Sequence, residues 1–387
     1  MHERLYFDWN ASAPLRPEAR SAMLAAFDAT GNPSSVHGEG RAARRLIEQA
    51  REQVAILVGA EPRNVAFTSG GTEANMLALT PLIEDGTSRY VKLLISAAEH
   101  SSVLAGGRFA PADIETLPVG RSGIIELATL ERRLSGCPPP VLVSVMLANN
   151  ETGVVQPISQ VASLVHAAGG ILHVDAVQAP GRIPCNINDL GADLLTLSGH
   201  KIGGPKGTGA LIRRNATVPF PAPLIKGGGQ ERRLRAGTEN VAGIAGFGAA
   251  AGATAREFDA ERGHLLKLRE RLEAGLKAAS PQLVIFGAEV ERLPNTTLFT
   301  APGMKAETAV IAFDLDGVAV SSGAACSSGK VGPSHVLAAM GVPSGLARGA
   351  VRLSFGRDTR ESDVNRLIEA WIRVAERLFR EKSVVAA

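Results

Sequence analysis

The sequence predicts an α/β protein in which a large domain with a mostly parallel sheet precedes a smaller α+β C-terminal domain. Between about residues 60 and 215, short apolar runs alternate with amphipathic stretches, which is typical of a parallel sheet with helices on both faces. Beyond a charged amphipathic stretch at 255–279, the pattern changes to mixed strands and helices. The length of 387 residues is sufficient for two or three domains.

Six apolar runs in the first region have the length and composition of buried strands. They are NVAFTS (64–69), YVKLLIS (90–96), VLVSVM (141–146), GILHVDA (170–176), DLLTLS (193–198) and GALIRR (209–214). The spacing of apolar residues predicts helices at 72–84 and 158–169. Ligands of such sheets bind beyond the C-terminal ends of the strands, so we expect the functional residues there.

The C-terminal part begins with one or two predicted helices at 255–279, where charged and apolar residues alternate with helical spacing. Strand-like runs such as NTTLFTA and VRLSFG follow, and a final helix is predicted over about 361–380. We therefore predict a large domain over 15–256 and a small domain over 257–387, with residues 1–14 packing on the small domain.

Composition and charge indicate an ordinary globular protein. Apolar residues make up 45% of the chain and charged residues 20%, which excludes intrinsic disorder and fibrous repeats. A net charge of +3 is too small to indicate binding to nucleic acid or to a membrane surface. The N-terminus lacks the apolar stretch of a signal peptide, and an odd count of three cysteines indicates a reducing compartment. We therefore expect a cytoplasmic location.

The segment TSGGTEAN (68–75) joins a predicted strand to a predicted helix through two glycines. Free backbone N–H groups and the helix dipole suit such a turn to phosphate binding. The alternative is an ordinary glycine turn in which Thr72 caps the helix. No G-K-[ST] sequence follows, so the turn is not a P-loop.

The segment HVDAVQ (173–178) ends another predicted strand, and its residues His173 and Asp175 point to one face because they are two positions apart. Three interpretations are open. The pair could bind a metal, Asp175 could hold the ring nitrogen of a cofactor, or Asp175 could cap the following turn. Other metal ligands at a usable spacing are lacking in the sequence, which disfavours the metal interpretation.

Lys201 lies in the glycine-rich segment SGHKIGGPKGTG (198–209), directly after a predicted strand. The chain has nine lysines, and only Lys201 and Lys206 have a phosphate-loop-like setting on the ligand side of the sheet. Burial and cationic neighbours favour the deprotonated amine that a Schiff-base nucleophile requires. The alternative is a loop lysine without a chemical role.

The segment SSGAACSSGKVG (321–332) surrounds Cys326 with serine, glycine and alanine, which offer little for packing. An accessible thiol in such a segment is a candidate nucleophile. Cys137 and Cys185 have no such surroundings, and we expect them to be structural.

A second loop, GGGQERRLRAGTEN (227–240), groups Arg232, Arg233 and Arg235 with glycines and Thr238. It could bind an anion or contact another subunit. The alternative is a solvated basic loop.

In this order and spacing, the segments resemble the pyridoxal-phosphate-dependent cysteine desulfurases of the NifS/IscS type, within the class V aminotransferase superfamily. The resemblance runs almost from end to end. Its segments are YFDWNASAPLRPEA, GNPSSVHGEGR, FTSGGTEAN, AEHSSV, ANNETGVVQP, HVDAVQAPGRIP, SGHKIGGPKGTGAL, GGGQERRLRAGTEN, RLPNT, SSGAACSSG, PSHVLAAMG and VRLSFGR. The resemblance implies the PLP-dependent transferase fold of type I, with pyridoxal 5'-phosphate (PLP) bound by the large domain.

The resemblance also implies roles for individual residues. The catalytic residues would be Lys201, which holds PLP covalently, His100, which stacks on the ring and moves protons, and Cys326, which takes the sulfur. Asp175 would pair with the ring nitrogen and Gln178 with the ring oxygen. The full cofactor-binding set would be Gly71, Thr72, Asn150, Asp175, Gln178, Ser198, His200, Lys201 and, from the partner subunit, Thr238. The substrate-binding residues would be Asn32, Asn150 and Arg352.

The implied reaction converts L-cysteine to L-alanine and leaves a persulfide on Cys326, which supplies sulfur for iron–sulfur cluster or other thio-cofactor assembly. The implied partners are a second copy of the chain in a homodimer and a sulfur-acceptor or scaffold protein. Cys326 could also be a transient iron–sulfur ligand, and no resident metal is expected. Selenocysteine lyase and cysteine β-lyase are alternative activities, and a non-catalytic assembly partner is a third. The chain departs from the common family form SSGSACTSG at Ala324 and Ser327.

Overall fold

A computed structural model describes residues 4–83, 86, 89–323 and 334–385; Cys326, Ala324 and Ser327 lie outside the described residues. The helices are α1 (Pro17–Phe27), α2 (Gly38–Leu57), α3 (Gly71–Ala78), α4 (Ser101–Leu104), α5 (Leu127–Ser135), α6 (Ile158–Ala167), α7 (Ile187–Leu190), α8 (Val241–Ala279), α9 (Ala306–Leu315), α10 (His335–Ala339), α11 (Ser344–Ala347) and α12 (Glu361–Val385). The strands are β1 (Leu5–Tyr6), β2 (Val65–Thr68), β3 (Lys92–Ser96), β4 (Ile114–Leu117), β5 (Val141–Met146), β6 (Ile171–Asp175), β7 (Leu194–Ser198), β8 (Gly209–Arg213), β9 (Val284–Ile285), β10 (Thr296–Thr300), β11 (Val318–Ala319), β12 (Ser321–Ser322) and β13 (Val351–Ser354).

In the described part of the chain, seven strands form the large sheet, in the order β2-β8-β7-β6-β5-β3-β4. The strands from β3 to β7 are parallel to one another, and β8 is antiparallel to both of its neighbours. The predicted α/β fold with a mostly parallel sheet is confirmed. The sequence pattern misses β4, because this short strand at the edge of the sheet is only partly buried.

Helices cover both faces of the large sheet, which is why its inner strands are buried and consist mostly of apolar residues. Every residue of β5 and of β7 is buried. Successive residues of a strand enter different apolar clusters: Leu194 packs in the cluster that contains Leu77 of α3, and Leu195 in the cluster that contains Phe247 of α8.

Helix α3 is shorter than the predicted helix at 72–84. It begins at Gly71 and ends at Ala78, with Leu79 as its C-cap. Pro81 follows, and a proline disfavours helical backbone at the residue before it, so the helix cannot continue to 84.

Helix α8 is one continuous helix of 39 residues, whereas the sequence predicts a tightly packed helix over the Ala/Gly-rich stretch 241–255 and, separately, one or two helices at 255–279. Its first half is rich in glycine and alanine and packs closely on α1 and α2. Its second half buries leucines, such as Leu265 and Leu272, in a separate apolar cluster. The predicted domain boundary at 256/257 therefore falls inside this helix, and the division into domains stays a prediction.

The C-terminal part contains a four-stranded antiparallel sheet in the order β12-β13-β10-β9. The N-terminal strand β1 pairs with β11 in a two-stranded parallel sheet, with Leu5 opposite Val318. Phe7 and Trp371 are buried in the same apolar cluster. Within the described residues, no helix combines the length and the hydropathy needed to cross a membrane.

Candidate active site

One cavity of about 300 Å³ lies beyond the C-terminal ends of β6 and β7. Asp175 is the last residue of β6, and Ser198 is the last residue of β7. The predicted site residues that line the cavity are Gly71, Thr72, His100, Asn150, Asp175, Gln178, Ser198, His200, Lys201 and Arg352. They come from segments that are far apart in the sequence, and the open end of a parallel sheet is where such segments meet.

The N-terminus of α3 forms one wall of the cavity. Gly70 is the N-cap residue and provides no side-chain cap, so the first N–H groups of the helix have no side-chain acceptor there. Thr72 is the second residue of the helix, which contradicts the interpretation that Thr72 is the cap. A Cβ atom added to Gly71 would lie 3.0 Å from Cγ2 of Val177. This helix end is suited to bind an anion.

Asp175 is almost fully buried, and both of its carboxylate oxygens accept hydrogen bonds from neutral groups. Oδ2 accepts from Nδ2 of Asn75 at 2.8 Å, and Oδ1 accepts from the backbone N–H of Val177 at 3.0 Å. The second bond confirms that Asp175 caps the turn after β6. It leaves the carboxylate in the cavity wall, so the cap and the ring-nitrogen anchor are compatible roles.

His173 does not take part in the cavity, although it is two residues from Asp175. Its ring nitrogens contact Oγ of Ser144 at 2.8 Å and Oγ1 of Thr196 at 2.9 Å. Burial lowers the pKa of His173 to about 4, so the ring is neutral. Because both nitrogens are engaged by hydroxyl groups, the metal-pair interpretation is wrong.

Lys201 follows β7 in a single turn of 3-10 helix, as the position of SGHK after a strand predicts. Its Nζ atom donates to the backbone oxygens of Asn10 and of Ala11, the latter at 3.0 Å. Lys206 is exposed and does not line the cavity. Of these two lysines, the structure therefore brings Lys201 to the cavity.

His100 is the N-cap of α4, and its Nδ1 atom accepts the backbone N–H of Ser102 at 3.2 Å. Burial lowers the pKa of His100; the nearby Asp175 opposes this shift, and Lys201 and His335 add to it. Because Nδ1 accepts a hydrogen bond, the neutral ring carries its proton on Nε2.

His200 is also neutral, because burial and the neighbouring Lys201 and Lys206 lower its pKa to about 4. Its Nδ1 atom lies 3.3 Å from Oγ of Ser12. A neutral imidazole can donate a hydrogen bond to an anion in the cavity but adds no positive charge there.

Arg352 has an exposed fraction of 2%, and its guanidinium is only partly satisfied. Nη1 donates to the backbone oxygen of Asn150 at 3.0 Å, and Nη2 pairs with Oδ1 of Asp8 at 2.6 Å. In the described part of the chain, Nε has no hydrogen-bond partner. The guanidinium thus has donor capacity left for a further acceptor.

The sequence assigned no role to several residues of the site. Asn10 and Ala11 come from the N-terminal segment, where Nδ2 of Asn10 donates to the backbone oxygen of Asn150 at 3.1 Å. Asn75 and Ser102 connect Asp175 with His100 through a bond of 2.9 Å between Nδ2 of Asn75 and Oγ of Ser102. All four residues lie in segments that carry the resemblance, but the residue types alone give no sign of their distant partners.

Two predicted site residues lie outside the cavity of their own chain. Asn32 is exposed, and its Oδ1 atom accepts the N–H of Ser34 at 2.9 Å. Thr238 lines a different cavity, together with Arg235. The latter pairs with Glu73 of α3 at 3.2 Å, which holds the basic loop beside the anion-binding helix end and argues against a fully solvated loop.

The sequence positions on both sides of the candidate nucleophile are held beside the cavity. The backbone N–H of Gly323 donates to the oxygen of Ala350 at 3.0 Å. Ser334 donates to the carboxylate of Glu151, and Nε2 of His335 donates to the backbone oxygen of Glu99 at 2.8 Å. Cys326 itself lies outside the described residues.

The two other cysteines behave as structural residues. Cys185 is buried, and burial raises the pKa of its thiol to about 12, so it is not a thiolate at neutral pH. Cys137 is half-buried against the main apolar cluster. Neither lines the cavity.

Comparisons with known proteins agree with this architecture. The sequence profile described as Aminotransferase class-V matches residues 5–367. A cysteine desulfurase of Cereibacter sphaeroides is 42% identical over 382 residues, which cover 97% of each chain. The structure of a NifS-like protein from Rickettsia africae covers 97% of this chain and 100% of that one, with a TM-score of 0.87 and 37% identity. SspA, solved in complex with cysteine, has a TM-score of 0.78 and 31% identity, over 91% of this chain and 99% of that one. This chain belongs to the aminotransferase class-V family.

Proposed function

We propose that this protein is a PLP-dependent cysteine desulfurase, which converts L-cysteine to L-alanine and passes the sulfur to Cys326. The observation that carries the proposal is a single cavity that brings together Lys201, Asp175 and the N-terminus of α3. The cysteine desulfurase of C. sphaeroides, 42% identical over nearly the whole chain, supports the activity. The SspA structure with cysteine supports L-cysteine as the substrate.

The residues of the cavity fit PLP. The uncapped end of α3, with Gly71 and Thr72, would hold the phosphate together with Ser198 and His200. Oδ1 of Asn75 is buried and has no partner in the described part of the chain, which is consistent with a site built for a further polar group. When bound, PLP supplies an electron sink that stabilises negative charge on the substrate carbon atoms.

Asp175 would hold the ring nitrogen. Its two oxygens accept hydrogen bonds from neutral donors, and a nearby carboxylate raises the pKa of a ring nitrogen. A protonated nitrogen is needed for effective electron withdrawal. Gln178 would donate to the ring oxygen.

Lys201 would bind the cofactor covalently and, with His100, move protons on the substrate. A lowered pKa keeps the His100 ring neutral near pH 7, so it can accept a proton. Arg352 would bind the substrate carboxylate, because a planar guanidinium suits a carboxylate and this one has donor capacity left. Asn150 lies beside it in the cavity wall.

Cys326 would take the sulfur in a step whose atoms balance. The carbon–sulfur bond of L-cysteine breaks, a sulfur–sulfur bond to Cys326 forms, and a hydrogen takes the place of sulfur on the carbon, so that alanine leaves. No external oxidant or reductant is needed to form the persulfide. The positions of Gly323 and Ser334 beside Glu151 support this role, because Glu151 directly follows Asn150, which lines the cavity.

We further propose a homodimer in which Thr238 completes the phosphate site of the partner subunit. The ion pair of Arg235 with Glu73 supports this, since it holds the Thr238 loop near the start of α3 while Thr238 stays outside the cavity of its own chain. Iron–sulfur cluster or other thio-cofactor assembly as the destination of the sulfur, a dedicated acceptor or scaffold protein, and a cytoplasmic location belong to the same proposal.

Incubation of the PLP-loaded protein with L-cysteine and a reductant tests the function. We expect alanine and sulfide in equal amounts. A β-lyase would release sulfide without alanine, and a selenocysteine lyase would act on L-selenocysteine but hardly on L-cysteine. A protein that stays colourless with PLP and forms neither product would contradict the proposal and support a non-catalytic role.

A further inference from the structure

Arg182 is a buried cation behind the cavity that the proposed mechanism does not use. Its exposed fraction is 5%. Burial and the nearby Arg352 lower the pKa of Arg182 to about 10, and Glu261 opposes this shift. Among the described residues, no carboxylate forms an ion pair with Arg182. Burying a charge without an ion-pair partner costs free energy, so the hydrogen bonds of Arg182 must offset part of that cost.

The described hydrogen bonds of the Arg182 side chain all go to Gln178. Its Nη1 atom donates to the backbone oxygen of Gln178 at 3.1 Å and also to the side-chain oxygen Oε1 of the same residue. On the other side, Nε2 of Gln178 donates to the backbone oxygen of Asn10 at 3.0 Å. That oxygen also accepts from Nζ of Lys201.

These neighbours determine which way the Gln178 amide faces. A guanidinium can only donate, and a backbone oxygen can only accept. A flipped amide would place two donors against each other at Arg182 and two acceptors against each other at Asn10. Because Asn10, Gln178 and Arg182 are all buried, each mismatch would leave polar groups without a suitable partner and would cost free energy.

We propose that Arg182 is a positioning residue that holds Gln178 as a hydrogen-bond donor toward the cavity. One hydrogen of Nε2 goes to Asn10, and the second remains for an acceptor in the cavity that Gln178 lines. This inference rests on the proposed function, in which that acceptor is the ring oxygen of PLP. Without Arg182 the Gln178 amide could turn its oxygen toward the cavity. That oxygen would then face the ring oxygen of PLP, which is also an acceptor.

A double-mutant cycle on PLP affinity tests the proposal without measuring turnover. PLP is titrated into the cofactor-free forms of the wild type, Arg182→Met, Gln178→Ala and the double variant, and visible absorbance reports binding. Arg182→Met should weaken PLP binding roughly three- to tenfold, the value of one neutral hydrogen bond, when Gln178 is present. With alanine at position 178 it should change the affinity less than about twofold.

Two further variants separate positioning from packing. Arg182→Lys should bind PLP nearly as well as the wild type, because a single nitrogen of Arg182 makes both bonds and an ammonium can replace it. Arg16→Met is the matched control. Arg16 is another buried arginine, and it lines, together with Arg182 and Lys201, a small cavity distinct from the active-site cavity, but it pairs with Glu257 and Glu261. Its effect on PLP affinity should be the same whether or not Gln178 is present.

An equal loss of affinity from Arg182→Met in both backgrounds, or no loss in either, would overturn the proposal. If Arg182→Met does not fold, Arg182→Lys still decides, because affinity as low as that of Gln178→Ala would contradict positioning. A wild type that does not bind PLP would overturn the proposed function and this inference with it. Binding without coupling would overturn the inference alone.

Discussion

Burial sets the protonation of individual side chains around the cavity. His100, His173 and His200 all have lowered pKa values because burial penalises the charged ring, so three histidines near the sheet end are neutral at pH 7. Both carboxylate oxygens of Asp175 accept hydrogen bonds from neutral donors. Of the three, His100 and His200 place neutral imidazoles in the cavity wall, which also contains Asp175 and Lys201.

Replacement of Lys201 should abolish covalent cofactor binding. We expect Lys201→Ala to lose the visible absorbance of bound PLP and all turnover, because the amine at the cavity is removed. The matched control is Lys206→Ala, which changes an exposed lysine in the same glycine-rich segment and should retain both properties. Borohydride reduction followed by peptide mapping checks the position, and label on any other lysine would refute the assignment.

Replacement of Asp175 by asparagine should separate binding from catalysis. The amide retains the shape but not the charge that keeps the ring nitrogen protonated, so PLP should still bind while turnover falls by orders of magnitude. PLP titration and an alanine assay on the same preparation measure the two effects. Turnover near that of the wild type would mean that another group holds the ring nitrogen.

Neighbouring elements position the site by close packing and by hydrogen bonds between strands. His173 on β6 connects β5 and β7 through Ser144 and Thr196, directly below the strand end that carries Asp175. Helix α8 approaches α2 so closely that a Cβ atom on Gly248 would lie 2.4 Å from Cα of Ala50. The contacts of His173 and the close approach at Gly248 can each be tested by substitution.

Acidification should destabilise the protein through His173. Its pKa is about 4 in the folded state against an ordinary value of 6.5, so below pH 6.5 the unfolded chain binds a proton that the folded chain does not. The stability present above pH 6.5 is lost as the pH falls toward 4, by about 2 kcal/mol between pH 7 and pH 5. Urea denaturation at both pH values should show a smaller loss for His173→Gln; an equal loss would contradict a neutral His173.

Two glycines of α8 should respond to alanine in opposite directions. Gly263→Ala should raise the free energy of unfolding by about 0.5–1 kcal/mol, because position 263 is exposed, nothing lies within 4 Å of an added Cβ, and alanine favours the helix. Gly248→Ala should lower it by about 1–3 kcal/mol, because the methyl group meets the backbone of α2. Chemical denaturation of both variants tests the pair, and equal signs would contradict the close packing.

The site forms where segments near the two ends of the chain meet the loops that follow the large sheet. Asn10 and Arg352 are far apart in sequence, yet both contact the backbone oxygen of Asn150. The flanks of the Cys326 segment are tied to the same region by Gly323 and Ser334. The cavity is therefore lined by segments that meet only in the folded chain.

Replacement of Cys326 by serine should remove desulfuration and leave the rest of the protein intact. We expect unchanged stability, PLP absorbance and response to added L-cysteine, because Lys201 and Arg352 are untouched. Sulfide and alanine formation should both collapse, because a hydroxyl is a far weaker nucleophile toward sulfur than a thiolate.

Mass spectrometry after brief exposure of the wild type to L-cysteine without reductant checks the same prediction. The peptide that contains Cys326 should gain one sulfur atom. A persulfide on Cys137 or Cys185, or full turnover in Cys326→Ser, would show that the proposed transfer is wrong.

Sequence patterns predict the fold class and most of the residues that line the cavity. Runs of mostly apolar residues locate every inner strand of the large sheet, since a parallel strand covered on both faces is largely apolar. Glycine-rich turns after strands locate Gly71 and Lys201, because ligands bind where parallel strands end.

The contacts between side chains that are distant in sequence follow only from the folded structure. The edge strand β4, the length of α8, the neutral His173, and the contacts of Asn75, Asn10 and Arg182 have no local signature. Local propensity acts over a few residues, whereas a buried polar group must find its partner wherever the folded chain brings one. For this protein, the residue types of the site follow from the sequence, and their protonation and orientation follow from burial.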